Sequence, residues 1–173
     1  MARSPSPDYS VQVDVLVAPN VADVPDVADI RRWLQQAITH AGATGEVEVS
    51  VKVVDEEEGR TLNRQYRAKD YATNVLSFPL MDAATGGVPA GPPLALGDIV
   101  ICAPVVAREA SEQGLDSPAH WAHMLVHGAL HLLGYDHETN EQAAEMESLE
   151  ALILAAGGVR DPYATAALEQ VQP

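Results

Sequence analysis

Residues 127 to 137 read H-G-A-L-H-L-L-G-Y-D-H, a spacing that specifies a helix, its end and the turn after it. His127 and His131 are four positions apart, one helical turn, so both project from the same face. Gly134 accommodates the left-handed backbone that ends a helix, after which the chain reverses and returns His137 to the other two. Five of the six histidines lie between residues 120 and 137. Three neutral imidazoles suit one zinc ion and leave its fourth tetrahedral position open to water, the arrangement of a catalytic site and not of a closed structural one. The expectation is one Zn2+ per chain on His127, His131 and His137, at a helix end and the following turn. His123 precedes His127 by one turn but lacks the third ligand and the glycine that His131 and His137 supply. For His120 and His123 two readings stay open, packing or solvation against a supporting role beside the ligands, and His123 is the candidate for the second. His40 falls late in a helix and is expected on the surface.

What stands beside the histidines narrows the chemistry. A zinc peptidase of the His-Glu-x-x-His type carries its general base directly after the first histidine, where this chain has Gly128. Peptide hydrolysis by that route lacks its proton acceptor. The available helpers are arginines, whose rigid fork of donors suits a phosphodiester. Arg60, Arg64 and Arg67 follow an i, i+4, i+7 pattern and form one cationic stripe on a helix, with Arg60 and Arg64 as candidate substrate-binding residues. The alternative for these two is ordinary pairing with the acidic run Asp55 to Glu58. The net charge of -15 repels nucleic acid at long range and argues against a general coating protein, but the local cluster still permits an anionic substrate.

Elsewhere the hydrophobic periodicity supplies the elements. V-Q-V-D-V-L-V alternates as a strand near 11–17, and E-V-E-V-S-V-K-V-V places valines 47, 49, 51 and 53 on one face of a second strand. Between them a helix over about 26–40 leaves at Gly42. A short helix carries L-N-R-Q-Y-R, N-V-L-S-F-P is a strand stopped by Pro79, and L-A-L-G-D-I-V-I-C is another at about 94–102. Helices follow over 104–113, from an N-cap at Ser117 with Pro118 at the first position to Gly134, and over about 139–156. The last is expected to turn Met146, Leu149, Leu152 and Ile153 inward and its carboxylates elsewhere. The order gives an α+β or layered α/β domain of about four strands.

We expect a single domain over 9–163, between a flexible Ser/Pro leader at 1–8 and a tail at 164–173. The Gly/Pro-rich loop at 82–95 is either a cover over a substrate groove or a plain connection. Cys102, the one cysteine, lies in an apolar run and reads as a buried inert thiol. Neither a secretory leader nor an apolar run long enough to span a bilayer is visible, which makes the cytoplasm the expected location.

Together with L-N-R-Q-Y-R-A-K-D-Y-A-T-N-V-L-S-F-P and L-G-D-I-V-I-C, the histidine segment resembles the bacterial YbeY family of endoribonucleases, also called rRNA maturation factors. The resemblance spans roughly residues 11 to 163. It implies zinc on His127, His131 and His137, a functional arginine at Arg67, and a small mixed sheet of about four strands packed with helices. It also implies a metal-dependent, single-strand-specific endoribonuclease in ribosomal RNA processing, especially 16S rRNA 3'-end maturation, and in ribosome quality control. The implied partners are ribosomal RNA and the ribosome or small ribosomal subunit with its proteins, and neither DNA nor membrane. Tyr71 and Ala72 stand where the family pattern has a basic residue and a proline. The competing functions are a zinc-dependent peptidase, which Gly128 disfavours, and a zinc-stabilised ribosome-assembly adaptor without catalysis.

Overall fold

A computed structural model describes residues 9–42, 45–80 and 94–163. The leader, the tail and nearly all of the Gly/Pro-rich loop lie outside the described residues. Four strands and five helices run in the order β1 (Tyr9–Val17), α1 (Val27–His40), β2 (Gly45–Val54), α2 (Glu56–Arg67), β3 (Val75–Pro79), β4 (Leu94–Cys102), α3 (Ala103–Gln113), α4 (Ser117–Leu132) and α5 (Asn140–Ala156). The sheet order is β1-β2-β4-β3, with β1, β2 and β4 parallel and β3 antiparallel to β4 at the edge. This is the mixed four-stranded α+β fold that the resemblance implies.

The period-two valines explain which face is covered. Val47, Val49, Val51 and Val53 are all buried, in one core with Ile99 and Ile101 of β4 and the apolar sides of α1, α4 and α5. From α1, Ile30, Leu34 and Ile38 recur at i, i+4 and i+8 and are almost fully buried. Each such side chain contributes about 1.5–3 kcal/mol when removed from water. The opposite face carries a smaller cluster of Val54, Leu76, Val100, Cys102 and Val105, with Leu62, Ala72 and Phe78 packed against it. Cys102 is the buried free thiol expected of it, and burial pushes its pKa up.

One helix start differs in detail from expectation. The N-cap of α4 is Asp116, one residue before Ser117, so Pro118 sits within the first turn. The acidic run from Asp55 serves α2 itself: Asp55 Oδ1 accepts from the Glu58 N–H at 2.8 Å and caps the helix. Helix α5 needs a larger correction. Its buried residues are Met146, Glu150, Ile153 and Leu154, while Leu152 is 58% exposed. Leu149 is half-buried against the core. Leu152 points outward because the inward positions follow the i, i+4, i+7, i+8 stripe begun at Met146, and that stripe contains a carboxylate.

Candidate metal centre

Helix α4 lies against the sheet with Trp121, Ala122, Leu125, Val126, Ala129 and Leu130 buried. Ser77 of β3 donates through its hydroxyl to the Gly128 carbonyl at 3.1 Å, so strand and helix touch beside His127. A β-carbon built on Gly128 would meet Ile99 Cγ2 at 3.1 Å and Val75 Cγ2 at 3.3 Å. Position 128 therefore faces the sheet, and its lack of a side chain permits the close approach of α4. A glutamate there would press its side chain against Ile99 and Val75, away from an open position for a general base, which deepens the case against a peptidase of the His-Glu-x-x-His type. Valine at position 128 should overpack this contact and destabilise the protein by about 1–3 kcal/mol, read by chemical denaturation.

Past Leu132 the chain closes a Schellman motif. The Tyr135 N–H donates to Leu130 O at 3.0 Å, the Gly134 N–H to His131 O at 3.1 Å, and Gly134 takes φ +100°. The reversal returns His137, whose own N–H donates to Asp136 Oδ1. One ring nitrogen from each of His127, His131 and His137 lies within 4.8 Å of the others. The Nε2 atoms of His127 and His131 are 3.1 Å apart. Nitrogens bound about 2.0–2.1 Å from one tetrahedral ion would lie roughly 3.3 Å from each other, close to the His127–His131 separation, and the three-imidazole donor set could hold a metal ion. Burial, followed by the neighbouring imidazoles His127 and His137, holds His131 below its ordinary pKa. At neutral pH it is an uncharged ring with a lone pair to offer.

Behind the cluster stands a residue absent from the sequence expectations. Glu150 of α5 is fully buried, and its Oε2 accepts from His127 Nδ1 at 2.5 Å. Its Oε1 meets His123 Nε2 at 3.3 Å and accepts from the Tyr163 hydroxyl. Burial alone would raise this carboxyl, but hydrogen bonds from His123, His127 and Tyr163 outweigh it and bring its pKa down to about 2. His123 thus hydrogen-bonds toward the cluster through Glu150, and its ring also meets that of His127 edge-on, with centroids 6.3 Å apart. The available signal was the apolar stripe of α5, in which Glu150 follows Met146 by four residues. His120 belongs to a separate contact, with its Nε2 2.9 Å from Glu109 Oε1, and Asn74 Nδ2 donates to the same carboxylate at 3.1 Å. His40 is exposed, as expected.

The three arginines of α2 do not act alike. Arg60 grips Asp70 through Nε–Oδ1 at 2.8 Å and Nη2–Oδ2 at 2.9 Å, and Arg64 lies 3.6 Å from the same carboxylate. Their partner is Asp70 and not the acidic run at the start of α2. The hydrogen bond from Arg60 holds Asp70 below the usual carboxylate range. Arg67, also exposed, instead donates from Nη2 to the Ser77 carbonyl at 3.3 Å. Asn74 and Cys102, and Leu80 and Leu96, are joined by backbone hydrogen bonds between β3 and β4. Alternation places Ser77 in a non-hydrogen-bonded pair with Ile99, so its carbonyl points to the free edge of the sheet. Arg67 lies at that edge, and the Ser77 side chain bridges to the residue after His127.

A family profile described as Endoribonuclease YbeY matches residues 20–158. A curated relative named Endoribonuclease YbeY from Alkalilimnicola ehrlichii is 51% identical over 162 residues, covering 94% of this chain and 95% of its own length. Another of the same name, from Halorhodospira halophila, is 55% identical over 142 residues, covering 82% and 90%. Among solved structures, the solution structure of TM1509 from Thermotoga maritima superposes with a TM-score of 0.52 at 25% identity, over 84% of this chain and 91% of that one. With the profile matched across most of its length and relatives this similar over nearly all of theirs, the chain belongs to the Endoribonuclease YbeY family.

Proposed function

We propose that this protein is a zinc-dependent, single-strand-specific endoribonuclease of the cytoplasm. It acts in ribosomal RNA processing, especially 16S rRNA 3'-end maturation, and in ribosome quality control, on RNA held in the ribosome or small subunit with its proteins. Family membership supports the endoribonuclease activity. The observation that carries the metal dependence is the convergence of three imidazole nitrogens within 4.8 Å of one another. Among the described residues no helix is long and apolar enough to cross a membrane.

His127, His131 and His137 would hold the ion. Zinc with three histidine ligands supplies Lewis acidity and brings the pKa of a bound water to about 7. The chain's own contribution on the substrate side is Arg67. Its contact with the Ser77 carbonyl orients the guanidinium at the sheet edge while its remaining N–H donors stay available to a phosphodiester. Arg60 and Arg64, held by Asp70, present their charge nearby and would contact flanking phosphates. Such contacts strengthen binding without choosing a sequence. The proposed domain comprises residues 9–163, and a protein trimmed to these should retain one cooperative melting transition in calorimetry.

The test is cleavage of a fragment spanning the 16S rRNA 3' end, offered as a single strand and as a duplex with its complement. The zinc-loaded protein should cut the single strand and spare the duplex. Equal cutting of both, or of neither, would contradict the assignment.

A further inference from the structure

The group formed by buried Glu150 with half-buried His123 and Tyr163 draws on three parts of the fold: α4, α5 and the segment after α5. The two Glu150 oxygens face two histidine nitrogens and one tyrosine hydroxyl, and a carboxylate accepts from such donors. Toward its Oε2, His127 must present Nδ1–H. Toward its Oε1, the Tyr163 hydroxyl donates. His123 Nε2, 3.3 Å from Oε1 and 3.1 Å from the Tyr163 oxygen, then donates between the two. For neutral rings against an accepting carboxylate, one assignment of protons satisfies all these contacts. With Nδ1–H directed at Glu150, the lone pair of a neutral His127 ring falls on Nε2, the atom that faces His131 Nε2 at 3.1 Å.

We propose that Glu150 is a positioning residue for the metal centre: it fixes His127 as the Nδ1–H tautomer and aims its Nε2 at the ion, while His123 and Tyr163 hold the carboxylate in place. This rests on the zinc assignment made above and adds a role to residues outside the ligand set. The geometry favours it over a purely structural role for Glu150. A carboxylate that served only to join α5 to α4 would have no need to meet the ligand's non-coordinating nitrogen, at 2.5 Å the shorter of its two histidine contacts. An anion at that nitrogen also raises the electron density the opposite nitrogen can donate, and partners of this kind typically change metal affinity by about 10- to 100-fold. Tyr163 explains how a fully buried charge is sustained, since its hydroxyl occupies a lone pair that the two histidines do not fully satisfy.

The experiment compares full-length wild type, Glu150→Gln and Tyr163→Phe. Zinc affinity is measured by chelator competition, metal-free melting temperature is recorded for each protein, and imidazole 15N shifts are recorded for zinc-free and zinc-loaded wild type. The expected result is an Nδ1–H tautomer at His127 in both wild-type samples. Zinc affinity should fall about 10- to 100-fold in Glu150→Gln and by a smaller factor in Tyr163→Phe. A wild type that binds zinc with His127 protonated on Nε2 and bound through Nδ1 would overturn the proposal, and that measurement needs no variant to fold. Unchanged zinc affinity in a folded Glu150→Gln protein would overturn it while leaving the three ligands intact. A wild type with no zinc affinity would bring down the metal assignment and this proposal together.

Discussion

Replacing His131 by alanine should reduce zinc from about one ion per chain to background, because two remaining imidazoles do not retain the ion against competing chelators. His131 is the middle histidine of the cluster, 3.1 Å from His127 across the facing Nε2 atoms. Metal bound to the folded state alone stabilises it by mass action, about 2.7 kcal/mol when free ligand exceeds the dissociation constant 100-fold. The variant should therefore melt at a lower temperature than zinc-loaded wild type and close to zinc-free wild type. Elemental analysis with calorimetry reads both effects. Full zinc content in a folded His131→Ala protein would remove the ligand assignment.

The second large effect is expected at Arg67. Lysine there keeps the charge but loses the planar fork that can hold the Ser77 carbonyl and a phosphate oxygen at once. Removing one donor aimed at developing charge typically costs about 10²–10³ in the chemical step. Single-turnover cleavage by Arg67→Lys should slow by a factor of that order, with zinc content and melting temperature unchanged. Asp70, three residues after Arg67, is exposed, gripped by Arg60 and approached by Arg64, so releasing Arg67 frees no buried charge. An unimpaired Arg67→Lys cleavage step would exclude the bidentate role. Mass analysis of the product ends adds a separate result: direct hydrolysis leaves a 5'-phosphate and a 3'-hydroxyl, whereas a 2',3'-cyclic phosphate would mean that the RNA 2'-hydroxyl attacks.

Much of this architecture could be read from residue order. Period-two valines in β2 located the covered face of the sheet, and the His-Gly-His spacing anticipated the end of α4 and the turn that brings His137 back. Those features are local, set by backbone geometry within about two helical turns. What escaped the sequence is long-range. Glu150 lies 23 residues from His127 and looks like one more acid in an acidic helix until packing turns it inward. The same packing turns Leu152 outward, against expectation. The pairing of Arg60 with Asp70 follows from the turn after α2, which Asn63 pins by donating to the Tyr71 carbonyl at 2.7 Å. The position of Arg67 at the free edge depends on strand order, which no run of residues announces. Gly128 was legible as a missing base, but its packing against Ile99 and Val75 required the fold.

The central claim is that an ion held by His127, His131 and His137 is required for RNA cleavage. The most direct measurement is single-turnover cutting of a single-stranded 16S 3'-end fragment by one preparation in three states: zinc-loaded, stripped by chelator, and stripped then given one equivalent of zinc, with His131→Ala carried in parallel. Cleavage should be present in the first state, absent in the second, restored in the third, and absent throughout in the variant. Equal cleavage by the stripped protein, or by a folded His131→Ala protein, would contradict the claim.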